Sequence, residues 1–367
     1  MTKKTSKITL KKPAKVLGIL GGGQLGRMSA LAAARLGIQT HIFCPESDAP
    51  ASQVAAKTVT ASYTDKKALK AFAAGVDVIS YEFENIPVET VRLLQSLKPV
   101  YPDDRLLEMA QHRPSEKQFL NDIGIPTAQW AAVTHPDDVL NTLQDWLATC
   151  CILKTTRFGY DGKGQAKFSL DQYLHKIWAT LNSDEIIVEE LIDFKCEISC
   201  IVARDRFGTI EIFDPVRNEH KDHILSKTIA PADLDPAILR KAKKYASDLA
   251  KHIELIGVLA LEMFVTKDGK ILANEIAPRT HNSGHWTIDA CAVSQFEQHV
   301  RAVCGLPLGS AKRHSDATML NLIGKDVKIV PDYLGKPNAC VHLYGKDEVR
   351  AGRKMGHITL LKPLARK

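Results

Sequence analysis

Apolar and polar positions switch repeatedly between a period near two and a period near 3.6 along this chain. Residues 15–20 read as a buried strand that runs into Gly21-Gly22-Gly23-Gln24-Leu25-Gly26. A helical pattern over 27–36 follows and stops at Gly37. Further strands are expected at 40–44 and 76–80. Together these predict a Rossmann-like α/β domain over residues 15–112. An amphipathic helix over 113–122, halted by Gly124-Ile125-Pro126, marks a domain boundary near 112. Strands are then expected at 151–154, 186–192 and 196–202, a helix at 294–304, and strands at 317–323 and 339–343.

The run 257–286 carries the most legible chemistry. Two aliphatic stretches flank Asp268-Gly269, residues that tolerate the positive φ of a type I′ turn, so a β-hairpin with a two-residue loop is expected. That loop puts Lys267 opposite Lys270 and, further out, Glu262 opposite Glu275. Directly opposed carboxylates repel unless a cation lies between them. Period-2 alternation puts Ala260, Ala273, Ala277 and Arg279 on the glutamate face. Leu259, Leu261, Met263, Leu272 and Ile276 go to a core face.

Composition narrows the class. Hydrophobic residues make up 45% and charged residues 25%, ordinary for a globular protein of two or three domains. Residues 3, 4, 7, 11, 12 and 15 are lysines, so a formal charge of +7 leaves about +1 for the rest. That balance argues against a nucleic-acid-binding body, and residues 1–14 read as a disordered basic tail. With no long apolar run and no secretory h-region, no membrane partner and a cytoplasmic location are expected. Eight scattered cysteines without a Cys-x-x-Cys pair indicate neither a disulfide framework nor zinc.

Several strand ends carry polar groups suited to a nucleotide. The glycine turn fits G-x-G-x-x-G, a pattern that brings backbone amides to an anion at a helix N-terminus, and it raises an NAD(P)-dependent dehydrogenase as a rival. Glu82 and Glu84, just past a strand, are placed to touch a substrate or to cap the next helix. Lys154 ends a strand before a glycine-rich loop, Gly159-Tyr160-Asp161-Gly162-Lys163-Gly164-Gln165, which lacks the Ser/Thr of a Walker A loop yet suits a polyphosphate. Glu189-Glu190-Leu191-Ile192 and Glu197 offer acceptors. Lys346, Arg350, Arg353 and Lys354, clustered around glycines, suit a phosphate monoester.

The order of these features resembles the ATP-grasp superfamily. GGGQLGRM at 21–28, YEFENIP at 81–87, GYDGKGQ at 159–165 and NEIAPRTHNSGHW at 274–286 resemble, more narrowly, its N5-carboxyaminoimidazole ribonucleotide synthetase family. The resemblance implies an ATP-grasp fold in mixed α/β and α+β classes. It has an N-terminal Rossmann-like (pre-ATP-grasp) domain at 15–112, a small lid subdomain at 113–187 and a catalytic subdomain at 188–367 with a C-terminal phosphate-binding segment. It further implies a homodimer that carboxylates aminoimidazole ribonucleotide with bicarbonate and ATP through carboxyphosphate. Arg113, Lys154, the loop 159–165, Glu189 to Ile192, Glu197, His220, Asn274 and Glu275 would surround ATP. Two Mg²⁺ ions, with Mn²⁺ as a substitute, would sit on Glu262, Glu275 and Asn274. Gly23, Gln24, Leu25, Glu82, Ser283, Lys346 and Arg353 would bind substrate, and Arg279, His281 and Asn282 would bind it and hold the intermediate. Two alternatives stay open beside the dehydrogenase: a formate-dependent glycinamide ribonucleotide transformylase, and a nucleotide-binding protein without turnover.

Overall fold

In the computed structural model, which describes residues 9–157, 159 and 163–364, the first apolar runs form a parallel sheet. Strands β1 (Val16–Leu20), β2 (Gln39–Cys44), β3 (Lys57–Thr60) and β4 (Val78–Tyr81) lie in the order β3-β2-β1-β4. Helix α1 (Gln24–Arg35) covers one face, over Leu17, Ile19 and Ile42. Helices α2 (Lys66–Ala74), α3 (Val88–Gln95) and α4 (Asp104–Ala110) cover the other, over Leu20, Phe43 and Ile79. Burial on both faces explains why these strands read as continuous apolar runs. Residues 10 and 14 of the expected tail are packed instead: Leu10 O accepts from Arg206, and buried Ala14 donates its amide to Cys304 O.

Helix α5 (Arg113–Asp122) has the predicted bounds. The lid sheet has the order β5-β8-β6-β7, from β5 (Trp130–Val133), β6 (Cys150–Thr155), β7 (Gln165–Ser169) and β8 (Ile186–Glu190), and it is backed by α6 (Pro136–Asp145) and α7 (Leu174–Leu181). Two expectations about this subdomain are corrected. Leu120 of α5 packs into the core of the larger sheet rather than the lid's own, and β8 runs through the expected boundary at 187 to Glu190. Continuous hydrogen bonding of β8 to both β5 and β6 carries it into the lid.

The third sheet, order β14-β13-β9-β11-β12-β15-β17-β16 with β10 on β9, holds β9 (Phe194–Arg204), β10 (Ile210–Ile212), β11 (Val216–Lys221), β12 (Ile224–Ala230), β13 (Gly257–Thr266), β14 (Ile271–Ala277), β15 (Asp316–Ile323), β16 (Ala339–Leu343) and β17 (Lys354–Lys362). Helix α8 (Pro236–His252) buries Ala242, Ala246 and Leu249 against Cys200, Leu259 and Leu261. After β14 come the short α9 (Thr287–Ala290) and α10 (Gln295–Val303). Phe296, Val300 and Val303 of α10 meet the small side chains of α1 and join the N-terminal domain to the body.

The β13–β14 hairpin corrects the expected turn. Thr266 N donates to Lys270 O at 2.9 Å and Gly269 has φ +81°, so Lys267, Asp268 and Gly269 form a three-residue loop. Val265 therefore faces Ile271. A bulge then leaves Asn274 as the extra residue, and Glu262 faces Glu275 as expected. Between turn and bulge the faces exchange: Ala273 joins the core with Leu261 and Met263, and Leu272, opposite Phe264, lies outside it.

Candidate active site

The lid sheet, the β13–β14 hairpin and the carboxyl ends of β1 and β4 enclose a cleft of about 810 Å³. Of the expected residues, Gly23, Gln24, Leu25, Glu82, Arg113, Lys154, Gly159, Lys163 and Gln165 line it. So do Glu189 to Ile192, Glu197, His220, Glu262, Asn274, Glu275, Arg279, His281 and Asn282. Tyr160, Asp161 and Gly162 lie outside the described residues. Gly164, Ser283, Lys346 and Arg353 are not in the wall. Gly164, at φ +68°, closes the turn by accepting from Thr155 N. Ser283 is buried and bonds Ser199 and His281.

At the lid end, a buried carboxylate holds two lysines. Lys154 Nζ lies 2.8 Å from Glu189 Oε2 and Lys117 Nζ lies 3.3 Å from Oε1. Burial raises the Glu189 pKa, but the two ammonium groups outweigh it and hold the carboxyl at about 2. Glu189 thus holds the two lysines, a role beyond its expected place around ATP. Lys117, 1% exposed, and its neighbour Glu116 were missed by sequence reasoning. Glu116 accepts from Ile276 N at 2.5 Å, and burial, aided by Glu275, pushes its pKa up to about 8. Their signal was present: two charged residues next to Leu120's stripe, on the face of α5 that packs on the hairpin.

Across the cleft, the two opposed glutamates have cationic neighbours. Glu262 Oε1 is 2.9 Å from His281 Nε2, and Glu275 Oε2 is 3.3 Å from Arg113 Nη1. Burial raises the Glu262 pKa; His281, His220 and Arg279 together bring it below its ordinary value. His220 pairs with Glu197, and although burial lowers its pKa, the Glu197 carboxylate raises it by more. At the bulge next to Glu275, Asn274 Oδ1 is buried with no hydrogen-bond partner among the described residues. Two opposed carboxylates and an orphaned amide oxygen lining one cleft are the kind of donor a hard divalent cation takes.

At the other end, the glycine turn already has its anion. Glu82 accepts from the amides of Gly23 and Gly26, the latter at 2.7 Å. Burial raises this carboxyl's pKa despite those bonds. The expected contact of the turn's amides with a ligand anion is therefore corrected: Glu82 occupies the helix N-terminus where a dinucleotide's pyrophosphate would bind. A Cβ on Gly23 would lie 2.6 Å from Glu82 Oε1, which accounts for glycine there. Glu84 instead pairs through both oxygens with Arg279. Lys346 Nζ donates to Gln24 Oε1 at 2.9 Å, directly behind the wall, and burial, helped by Arg353, lowers its pKa to about 8. Gln53 and Arg27, also missed, clamp this corner: Gln53 Nε2 donates to Gly345 O at 2.7 Å and Arg27 to Gln53 Oε1 at 2.8 Å. These links join positions far apart in the chain, so no local pattern announces them.

Known proteins share the sequence pattern and fold of this chain along nearly its whole length. The chain matches the ribonucleotide synthetase preATP-grasp domain over residues 14–111, the ATP-grasp domain over 118–296 and the phosphoribosylaminoimidazole carboxylase C-terminal domain over 317–366. It is 50% identical to the N5-carboxyaminoimidazole ribonucleotide synthase of Brucella melitensis biotype 1, covering 96% of this chain and 98% of that one. It is 41% identical to the Bacillus subtilis enzyme of the same name, covering 95% and 92%. A solved ADP complex of an N5-carboxyaminoimidazole ribonucleotide synthetase superposes with TM-score 0.91 at 39% identity, over 98% of this chain and 94% of the other. The synthase from Aspergillus clavatus, solved with ADP and 5-aminoimidazole ribonucleotide, gives TM-score 0.89 at 30% identity over 96% and 94%. With its fold and its three domains matched along nearly the whole length, the chain belongs to the N5-carboxyaminoimidazole ribonucleotide synthase family of ATP-grasp enzymes.

Proposed function

We propose that this protein carboxylates 5-aminoimidazole ribonucleotide with bicarbonate and ATP, giving N5-carboxyaminoimidazole ribonucleotide, ADP and phosphate in purine biosynthesis. One observation carries the reading. A single cleft collects Lys154 and two opposed carboxylates, with Lys346 held on the wall residue Gln24 directly behind it, the three functions that ATP, phosphoryl transfer and a ribonucleotide monophosphate require.

ATP binds at the lid end, between Lys154, the loop 159–165 and Arg113. With Glu189 engaged by lysines, the adenine edge falls to the chain at Glu190 to Ile192. Glu262, Glu275 and the orphaned Asn274 Oδ1 would hold Mg²⁺, which supplies charge neutralisation on the transferring phosphoryl group. A bicarbonate oxygen attacks the γ-phosphorus, the bond to the bridging oxygen breaks, and ADP leaves. Arg279, His281 and Asn282 hold the carboxyphosphate. The amine nitrogen then attacks the carboxyl carbon, of that intermediate or of the carbon dioxide it releases, and phosphate and a proton depart. The glycine-rich loop excludes water from this labile species. Lys346 and Arg353 bind the 5′-phosphate, with Gln24 orienting Lys346. A homodimer in the cytoplasm completes the proposal.

The test is ADP release with Mg²⁺ and ATP, comparing bicarbonate plus aminoimidazole ribonucleotide with formate plus glycinamide ribonucleotide. Release with the first pair alone is expected. Release with the second pair alone would assign the chain to formyl transfer instead.

A further inference from the structure

Outside the cleft wall, strands β16 and β17 and helix α9 bring together side chains that the carboxylation chemistry does not use. His342 and His357 are direct partners across the antiparallel pair, their rings stacked with centroids 4.5 Å apart. Asp289 of α9 reaches them, with its two oxygens 3.1 and 3.0 Å from His342 Nε2. One ligand atom from each of Asp289, His342 and His357 lies within 4.8 Å of the other two.

An ordinary aspartate–histidine pair would account for His342 but not for His357. That imidazole is fully buried, its Nδ1 is 2.8 Å from the Tyr344 hydroxyl, and its Nε2 has no hydrogen-bond partner among the described residues. A buried nitrogen without a partner is costly, and native structures usually have a reason for it. A histidine that ligates through one nitrogen commonly has its other N–H fixed by an oxygen, the role Tyr344 fills here. Cys340, two residues before His342 and so on the same side of β16, hydrogen-bonds Asp289 through its thiol. His342 is 28% exposed, which gives an ion a route in.

We propose that Asp289, His342 and His357 form a binding site for one divalent transition-metal ion of the zinc class, separate from the paired glutamates. Two imidazoles and a carboxylate are borderline donors that favour zinc, cobalt or nickel over magnesium. Ligand atoms around tetrahedral zinc lie about 3.3 Å apart, a contraction that rotation of the partly exposed Asp289 and His342 side chains supplies. The ion would tie α9 to the C-terminal sheet. It would also sit beside His285, whose ring is 4.7 Å from that of His357 and whose Nε2 is 3.1 Å from Asn282 Oδ1 in the cleft.

The test needs neither ATP nor ribonucleotide, so it stands apart from the carboxylation assay. Full-length protein is stripped with chelator, dialysed and titrated with cobalt chloride, following visible d–d absorption, and zinc chloride is then used to displace the cobalt. With excess Mg²⁺ present to occupy the paired glutamates, wild type and Glu275→Gln should each bind one equivalent of cobalt with equal affinity. His342→Ala and Asp289→Asn, both at partly exposed positions and checked for native circular dichroism, should bind at least tenfold more weakly. Absence of cobalt binding would overturn the site, as would affinity unchanged in both ligand variants or lost in Glu275→Gln.

Discussion

Glu189→Gln should destabilise the protein at neutral pH by about 3–5 kcal/mol, because removing one member of a buried ion cluster strands its partners. Lys117 and Lys154 both rest on this carboxylate, and Lys117 is buried too deeply to recover its charge from water. The structure supplies its own magnitude: a carboxyl held at about 2 instead of 4.5 is stabilised by roughly 3 kcal/mol, at about 1.4 kcal/mol per tenfold change in acidity. Three of the four tryptophans, Trp130, Trp146 and Trp178, belong to the lid region, so urea unfolding followed by fluorescence reports on the half of the protein that Glu189 anchors. Because the folded pKa is depressed, the contribution is present above pH 4.5 and is lost as pH falls toward 2. The gap between parent and variant should therefore narrow over that window. Adding Lys117→Met to Glu189→Gln should recover about 1 kcal/mol or more. A single variant within about 0.5 kcal/mol of the parent, well below the usual cost of a stranded buried charge, would refute the reasoning, as would a double variant no more stable than the single.

Other outcomes are equally specific. Glu275→Gln should cut Mg²⁺-dependent ADP release by a factor of about 10³ or more, by removing a cation ligand at the transferring phosphoryl, while thermal unfolding stays near that of the parent; retained turnover would remove Glu275 from the metal set. Lys346 carries its charge below about pH 8, so the KM for the ribonucleotide should rise as pH passes through 8, and Lys346→Arg, whose guanidinium stays charged, should flatten that rise; an identical pH profile would sink the assignment. In Gly21→Ala the new Cβ would sit at φ +103° and 2.4 Å from Glu82 Cγ, so a loss of about 1–3 kcal/mol is expected in chemical denaturation, and a neutral effect would mean the turn can rearrange.

The amino-acid sequence by itself determined the kinds of element and most of their places. Alternation and helical spacing are local properties, so α5 and the strands at 15–20, 40–44 and 196–202 were legible without any partner. Many motif residues around the cleft were legible too, since Gly23, Glu82 and Lys154 lie at or just past strand ends marked by glycine or a charge. Tertiary structure decided which groups are free to act. Glu262 faces Glu275 only because a three-residue loop at Gly269 and a bulge at Asn274 cancel, and the bulge, which frees Asn274 Oδ1, has no local signature. Glu82 meets the glycine turn 56 residues away along the chain, and Lys117 meets Glu189 through the packing of α5 beneath the hairpin. Pairing energies between charges depend on separation and burial, which the fold sets through long-range contacts. Residue identity names the candidates, and the solvent-excluded geometry of the cleft assigns each carboxylate to a lysine, a backbone amide or a cation.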